Sequence, residues 1–369
     1  MRVVVLGGYG NFGARICRAL AGNAEIELVI AGRSEARATA FAATLAGSVP
    51  AIALDTGATD FGQRLGDIKP GLVIHTAGPF QGQGYDIART VAECGAHYVD
   101  LADGRRFVCD FPDALDAQFK AARRTAISGV STLSSLSAAV VDDLRNRFDE
   151  LSSIDMCIAP AQHAPRGKAT LAAVLSYCGE AVPVWQAGGW VQQVGWARPT
   201  RVQFAHLTPR LAALCDVPDL ELFPRRYAGV TTVMFRAALE VALTQRVFAL
   251  IAWARHKRLL PRASLLAPLV HGIGTWFDRF GSGLGGMVIR LDGRSLQGQP
   301  LCVEWHLTVG DNYGPEVPCM AAILLARRLA GGDAFPIGAQ TSPGLLSLHE
   351  FAPEFARWGI RTEVIERAG

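Results

Sequence analysis

Gly8, Gly10 and Gly13 stand in the spacing G-x-G-x-x-G within Gly7-Gly8-Tyr9-Gly10-Asn11-Phe12-Gly13, a pattern that can cradle a pyrophosphate. The first glycine permits a tight turn, the second lets backbone approach the phosphates, and the third lets a helix lie close to a strand. The free N–H groups and positive dipole end of that helix then face the negative charge. A structural turn without a ligand could use the same glycines. The apolar run Val3-Val4-Val5-Leu6 before them and the amphipathic Ala14–Leu20 after them favour the dinucleotide reading. Tyr9, Asn11 and Phe12 complete the loop.

A second group lies at Gly32-Arg33-Ser34, where the next apolar run ends. Proteins that prefer NAD usually carry Asp or Glu there for the ribose hydroxyls, whereas a 2'-phosphate repels carboxylate and attracts arginine. No acid is present. Arg33 can stack on adenine and pair with phosphate, and Ser34 can donate to it, so the expected cofactor is NADP. A solvated loop cation is the other role open to Arg33.

These groups require an alternating scaffold to hold them. Glu27–Ala31, Ala51–Leu54, Leu72–His75, His97–Leu101 and Thr125–Ile127 read as strands after the first, with helices at Ser34–Leu45, Tyr85–Cys94 and Asp113–Arg124 between them. The fold class expected is α/β, a Rossmann doubly wound parallel sheet, joined to a second α+β domain. From Gly129 a run of small polar residues, Ser131 to Ser137, reads as a crossing between domains. Beyond it, Ile154–Ala159, Val202–Phe204, Val230–Phe235, Met287–Leu291 and Leu301–Leu307 are strand-like without the regular helical alternation, the pattern of a mixed or antiparallel sheet. The expected division is 1–129, 130–313 and a C-terminal segment 314–369 that returns to the first domain.

An apolar helical stretch spans roughly residues 237–280. Glu240, Arg246, the cluster Arg255-His256-Lys257-Arg258, Pro261 and Pro268 interrupt it too often for a membrane span. Burial against the core or a twin subunit is favoured over a membrane-surface helix edged by Trp253 and Trp276, which makes a homo-oligomer, here a homodimer, the expected assembly.

Composition bounds the rest. The 369 residues are 50% hydrophobic and 19% charged, as in a globular protein with a large core. A net charge of +3, with no basic tract interleaved with aromatics, gives no reason to expect nucleic acid. The eight cysteines are scattered without C-x-x-C pairs, and no secretory leader is read ahead of the first strand. Reduced cysteines in a cytoplasmic protein are therefore expected. No metal is expected, since no histidine pair has ligand spacing beside a carboxylate.

The combination G-G-Y-G-N-F-G, A-G-R, H-T-A-G-P-F-Q and H-Y-V-D-L-A-D resembles the saccharopine dehydrogenase-like (saccharopine reductase) oxidoreductases. Gly314-Pro315-Glu316-Val317-Pro318, the run Ala321–Gly331, Gly338 and Gly344-Leu345-Leu346 resemble that group's closing segment. The resemblance spans nearly the whole sequence, strongest in the first domain and the C-terminus and faint over residues 180–300. It implies an NADP-binding Rossmann domain with Gly8, Gly10, Asn11, Phe12 and Gly13 at the pyrophosphate and Arg33 and Ser34 at the ribose phosphate. It also implies Asp55 at the adenine edge and the loop Ala77-Gly78-Pro79-Phe80 beneath the nicotinamide. Asp55 could equally form an Asx turn in Asp55-Thr56-Gly57, and His75 reads as a core histidine. Ser134-Ser135-Leu136-Ser137 departs from the Pro-Gly-Leu-Ser that relatives commonly carry, so a differently shaped loop between the domains is expected.

The activity implied is NADPH-dependent hydride transfer to an imine C=N bond. Such a site needs a proton donor or base near the nicotinamide, and arginines for substrate carboxylates. Tyr98, Asp100 and Asp103, at the end of the fifth strand and in its loop, are the catalytic candidates, with capping and packing as their alternative roles. Arg166, Arg225 and Arg226 are the substrate candidates. The apolar second domain better suits a hydrophobic small molecule than a doubly charged amino-acid adduct. Two rivals therefore stand: a trans-acting enoyl (C=C) reductase working on acyl groups, and a non-catalytic NADPH-binding, lipid-associated protein.

Overall fold

The computed structural model describes residues 1–165, 174–260, 279 and 281–368. Two compact units emerge, one of Met1–Leu136 with Glu316–Leu346 and one of Ser137–Pro315 with Ser347–Gly369.

The first unit is built on seven strands: β1 (Arg2–Leu6), β2 (Glu27–Gly32), β3 (Ala51–Ala53), β4 (Leu72–His75), β5 (His97–Asp100), β6 (Thr125–Ser128) and β15 (Gly338–Thr341). They lie in the order β15-β6-β5-β4-β1-β2-β3. Every pairing is parallel. Val3, Val4 and Val5 are fully buried, as expected for a central strand covered on both faces, where β-branched side chains alternate into two apolar layers. The helices are α1 (Asn11–Leu20), α2 (Glu35–Ala42), α3 (Phe61–Ile68), α4 (Asp86–Glu93) and α5 (Arg105–Ala121). The sequence pattern starts α5 at Asp113, beyond Pro112, but the helix begins eight residues earlier and carries the proline inside it. The buried stripe Phe107, Phe111, Leu115 and Phe119 recurs every four residues across Pro112, and its packing outweighs the lost backbone hydrogen bond.

The second unit holds a nine-stranded mixed sheet. Its path runs β10 (Thr200–Val202), β11 (Arg210–Leu214), β12 (Thr232–Ala238), β7 (Phe148–Ala159), β13 (Gly285–Ser295), β14 (Pro300–Val309) and β16 (Arg361–Ala368). Only the pair of β12 with β7 is parallel along that path. The sequence reading overlooks the hairpin of β8 (Ala181–Gln186) and β9 (Gly189–Val194). Its two-residue loop places Ala187 at φ 52° and Gly188 at φ 76°, the left-handed pair that matches the twist of a tight hairpin. Ala187 lacks the Asn or Asp that would have flagged the turn.

The helices of this unit are α6 (Leu136–Leu144, entered from the first unit), α7 (Asp219–Arg226) and α8 (Ala242–His256). In the C-terminal segment α9 (Val317–Ala330) belongs to the first unit and α10 (Leu348–Arg357) to the second. The segment therefore divides at Leu346: β15 extends the parallel sheet, whereas β16 pairs antiparallel with β14. Ala237 and Ala238 close β12 rather than open a helix, and residues 261–278 and 280 of the apolar stretch, Trp276 among them, lie outside the described residues. Among the described residues, no helix is long and apolar enough to cross a membrane.

Candidate functional site

The turn between β1 and α1 is made at Gly7, one residue before the motif's first glycine. Gly7 takes φ 78°, which a larger residue would resist. Its N–H and that of Gly8 both donate to the Ala31 carbonyl, at 2.9 and 3.0 Å, which ties the loop to β2. Gly8 answers to packing: a Cβ there would stand 3.0 Å from Ile30 Cγ2 and 3.0 Å from the Val5 carbonyl oxygen. Gly13 is the tightest of the four, since its Cβ would lie 2.8 Å from the Gly7 carbonyl carbon and 2.9 Å from Gly8 Cα. This close approach lets α1 start directly over the strand end. Gly10 precedes the helix and is solvent-exposed, and the first turn carries no acidic residue that would repel an anion. The first-turn N–H groups have no partner within the helix, so the loop has the donor set and the open backbone that a pyrophosphate requires.

Behind the loop, Arg15 donates from Nη1 to Asn11 Oδ1 at 2.7 Å and pairs through Nε with Glu316 at 2.9 Å. Glu316 stands just ahead of α9, which packs on α1, and Cys319 donates to the Phe12 carbonyl at 3.6 Å. The returning segment thus braces the glycine loop. Sequence reasoning placed that segment by resemblance but assigned Glu316 no task.

At the end of β2, Arg33 is exposed and Ser34 caps α2, accepting from the Arg37 N–H at 3.4 Å. Tyr9 reaches across from the glycine loop. Its hydroxyl accepts from the Ser34 N–H at 3.0 Å, and the Arg37 guanidinium lies 4.7 Å from its ring centroid. Gly32 leaves room for that ring, since a Cβ would lie 2.8 Å from Tyr9 Cζ. Arg33 thus precedes Ser34 in the sequence, and the Arg37 guanidinium lies over the tyrosine that holds the Ser34 N–H. Arg37 was missed in the sequence; its position in the first turn of α2, three residues beyond the cap, was the available signal. Asp55 is exposed and its Oδ1 accepts from the Gly57 N–H at 3.1 Å, forming the Asx turn.

The loop after β4 is held from three directions. Thr76 donates its hydroxyl to the Leu6 carbonyl at 2.8 Å, and Gln83 Nε2 donates to the carbonyls of Ala77 at 2.8 Å and Pro79 at 2.9 Å. Phe80 turns inward, 5.0 Å from His75 and 5.3 Å from Phe107 by ring centroid, so it anchors the loop while Gly78 and Pro79 stay open to solvent. Gln83 and Thr76 carried no motif that would reveal them.

β4 and β5 bring His75 and Asp100 into register, and Tyr98 lies beside them. Tyr98 is buried, its hydroxyl 3.0 Å from His75 Nδ1 and its ring stacked on Phe111. Burial pushes the His75 imidazole down to about 4, so it is neutral at pH 7, and raises the Tyr98 phenol. Asp100 is fully buried. Its Oδ1 accepts from the N–H of Ala102 at 3.0 Å, the Ser128 hydroxyl at 3.0 Å and the Gly129 N–H at 2.9 Å. Burial nevertheless pushes its carboxyl up to about 6 against those bonds. Asp103 is exposed on the loop after β5 and accepts from Gln81 Nε2 at 3.0 Å. The three candidates thus separate into two interior groups and one surface carboxylate.

Among the substrate candidates, Arg166 lies outside the described residues. Arg225 pairs with Glu221 at 2.6 Å on α7, and Arg226 pairs with Asp142 at 2.7 Å. A buried guanidinium that the sequence did not flag, Arg210, donates to the carbonyls of Ala159, Pro160 and Leu284. It sits 3.5 Å from Glu240 and holds strand ends together. At the crossing, Ser134 adopts φ 71°, where most residues other than glycine are strained.

Residues 3–130 match the family described as saccharopine dehydrogenase NADP binding domain. That stretch therefore carries an NADP-binding domain of the saccharopine dehydrogenase type, and the cofactor the match supports is NADP. The glycine cradle and the exposed Arg33 at the end of β2, with Arg37 over Tyr9, fit that cofactor. No sequence match was found among curated proteins. Over its full length the fold is similar to apo saccharopine dehydrogenase (L-Glu forming) from Saccharomyces cerevisiae, with TM-score 0.68 and 12% identity, covering 100% of each protein. Homospermidine synthase from Legionella pneumophila, in complex with NAD, matches with TM-score 0.60 and 8% identity over 100% of this protein and 91% of that one. Amine dehydrogenase from Mycobacterium smegmatis matches with TM-score 0.50 and 11% identity over 92% and 94%. The likeness to these three proteins is one of fold, and it extends beyond the NADP-binding domain into the rest of the sequence.

Proposed function

We propose that the protein is an oxidoreductase that reduces a C=N bond at the expense of NADPH. The observation that carries this reading is the NADP-binding domain, matched over residues 3–130, with a polar loop system built at the carboxyl ends of β4 and β5. Open α/β sheets bind ligands at those ends. The names of the three similar folds all concern amines or amino acids, which supports nitrogen chemistry over alcohol oxidation.

In this reading Gly8, Gly10, Asn11 and Gly13 hold the pyrophosphate, and Arg33, Ser34 and Arg37 hold the 2'-phosphate. Tyr9 supports that pocket and Asp55 stands at the adenine edge. Ala77, Gly78 and Pro79 form the floor beneath the nicotinamide, and Phe80 fixes the floor to the core. When bound, NADPH supplies the hydride. Asp103 is the group that can meet the substrate and move a proton there, because it is exposed and oriented by Gln81. Tyr98 and Asp100 act as positioning residues: one holds His75 beneath the loop, the other ties β5 to the exit of β6.

The pairing of Arg225 and Arg226 with carboxylates of their own unit favours an apolar amine adduct over one carrying several carboxylates. The same observation supports a second reading, reduction of a C=C bond in an acyl group. Purified protein with NADPH, offered amine and carbonyl pairs or enoyl thioesters, separates them by loss of nicotinamide absorbance. Turnover with the imine-forming pairs is expected, and Asp103→Asn lowers kcat roughly 10- to 100-fold while NADPH affinity stays. Turnover confined to enoyl thioesters establishes the second reading, and saturable NADPH binding without turnover of either class refutes both.

A further inference from the structure

We infer that α8 is a docking surface for an anionic lipid interface. The helix has two opposed faces. Gln245, Phe248 and Ala252 point into the second unit, where Phe248 packs 4.9 Å from the Trp196 ring and Cys178 donates to the Phe248 carbonyl. Arg255 fastens the same side, pairing with Glu180 and donating to the Leu175 and Ser176 carbonyls at 3.2 and 3.3 Å. The helix is therefore seated, and its outward side is a fixed surface.

That outward side is apolar. Leu243, Val247 and Leu250 recur at steps of four and three residues, opposite the seated stripe, and Trp253 lies at their margin. Their exposures are 52%, 39%, 62% and 52%, and Leu259 just beyond the helix reaches 69%. Five large apolar side chains open to solvent along four turns are not the scattered exposure of an ordinary surface.

Charge decides which partner fits. From Val241 to Leu260 the sequence has no Asp or Glu, while Arg246 on the helix and Lys257 and Arg258 just past its end are exposed. An apolar stripe with a tryptophan at its edge and cations on and just past the helix matches the boundary between acyl chains and anionic headgroups: the stripe enters the first apolar layer and the cations meet phosphates. A second copy of the protein fits less well. A two-fold contact through this helix would bring the cations of one copy against those of the other, with no carboxylate in the stretch to offset them. The geometry requires no spanning segment.

Co-sedimentation with vesicles tests this. With phosphatidylcholine vesicles containing phosphatidylglycerol, the wild-type protein binds, and with pure phosphatidylcholine it binds far less. Arg246→Gln, Lys257→Gln and Arg258→Gln each lower the partition coefficient about fivefold, and raised salt does likewise. Leu250→Gln with Trp253→Gln removes binding, while thermal melting by circular dichroism confirms that both side chains are dispensable for folding. Equal binding to both vesicle types, no binding to either, or full binding by the folded double variant overturns the inference. So does a concentration-dependent dimer that the double variant abolishes while vesicles are ignored, which assigns the face to a second copy.

Discussion

The carboxyl end of the first unit's sheet and the surroundings of the second unit's sheet treat charge in opposite ways. In the first, polar groups gather at the strand ends and are left facing outward: the α1 N-terminus, Arg33, Arg37 and Asp103. Around the second sheet, four cations turn to carboxylates and carbonyls of their own unit: Arg210 to three carbonyls, Arg225 to Glu221, Arg226 to Asp142 and Arg236 to Asp155, while exposed cations lie apart on and after α8. A cofactor with fixed charges needs an open, prearranged donor set, and the parallel sheet supplies one. The second unit commits these cations to holding its fold.

The strongest way to break this contrast is to close the glycine cradle. Gly13→Ala forces a methyl group against the Gly7 carbonyl and Gly8 Cα, so a stability loss of roughly 3 kcal/mol and loss of NADPH binding are expected together. Thermal unfolding and fluorescence titration check both. If the variant binds NADPH as tightly as wild type, the cradle is not where the phosphates sit.

The buried cluster under the loop offers a pH test. His75 is held near 4 against about 6.5 in the unfolded state, so it stays neutral in the native state while the unfolded state takes up a proton. Its contribution is present above pH 6.5 and is lost as pH falls toward 4, roughly 3 kcal/mol in all. Asp100 works in the other direction: its carboxyl is raised to about 6, so its native-state penalty is relieved over pH 6 to 4. The stability advantage of wild type over His75→Gln should therefore shrink across that range in urea titrations. An advantage independent of pH would mean that the imidazole is not buried neutral.

Arg33→Glu sharpens the cofactor side of the comparison, with NADPH affinity expected to fall roughly 10- to 100-fold and NADH affinity expected to hold. Arg37→Ala should weaken NADPH alone, by a smaller factor, through its place over Tyr9. The smallest effect belongs to the second unit. Arg225 is two-thirds exposed and pairs with Glu221 four residues before it, so Arg225→Ala should cost no more than about 0.5 kcal/mol. A large rise in KM for that variant would show that the arginine leaves Glu221 for the substrate.

The parallel sheet was legible because its signals are local. An apolar β-branched run, glycines at fixed spacing and a missing acid after β2 can each be read within a few residues. Arg37, Gln83 and Glu316 were not legible, because each acts across a fold contact: one over the Tyr9 ring, one onto two loop carbonyls, one onto Arg15. Sequence adjacency also suggested that Tyr98, Asp100 and Asp103 act together. Strand alternation and the end of β5 separate them, sending the first two inward and leaving the third at the surface. The C-terminal segment divided between sheets for a similar reason, since nothing in residues 347–369 names the strand that β16 will join.

The central claim is a phosphorylated dinucleotide held by the β1–α1 turn and the guanidiniums after β2. Calorimetric titration of the wild-type protein with NADPH and, separately, NADH tests it most directly. Saturable binding with NADPH at least tenfold tighter is the expected result. No saturable binding of either nucleotide, or equal affinity for both, would contradict it.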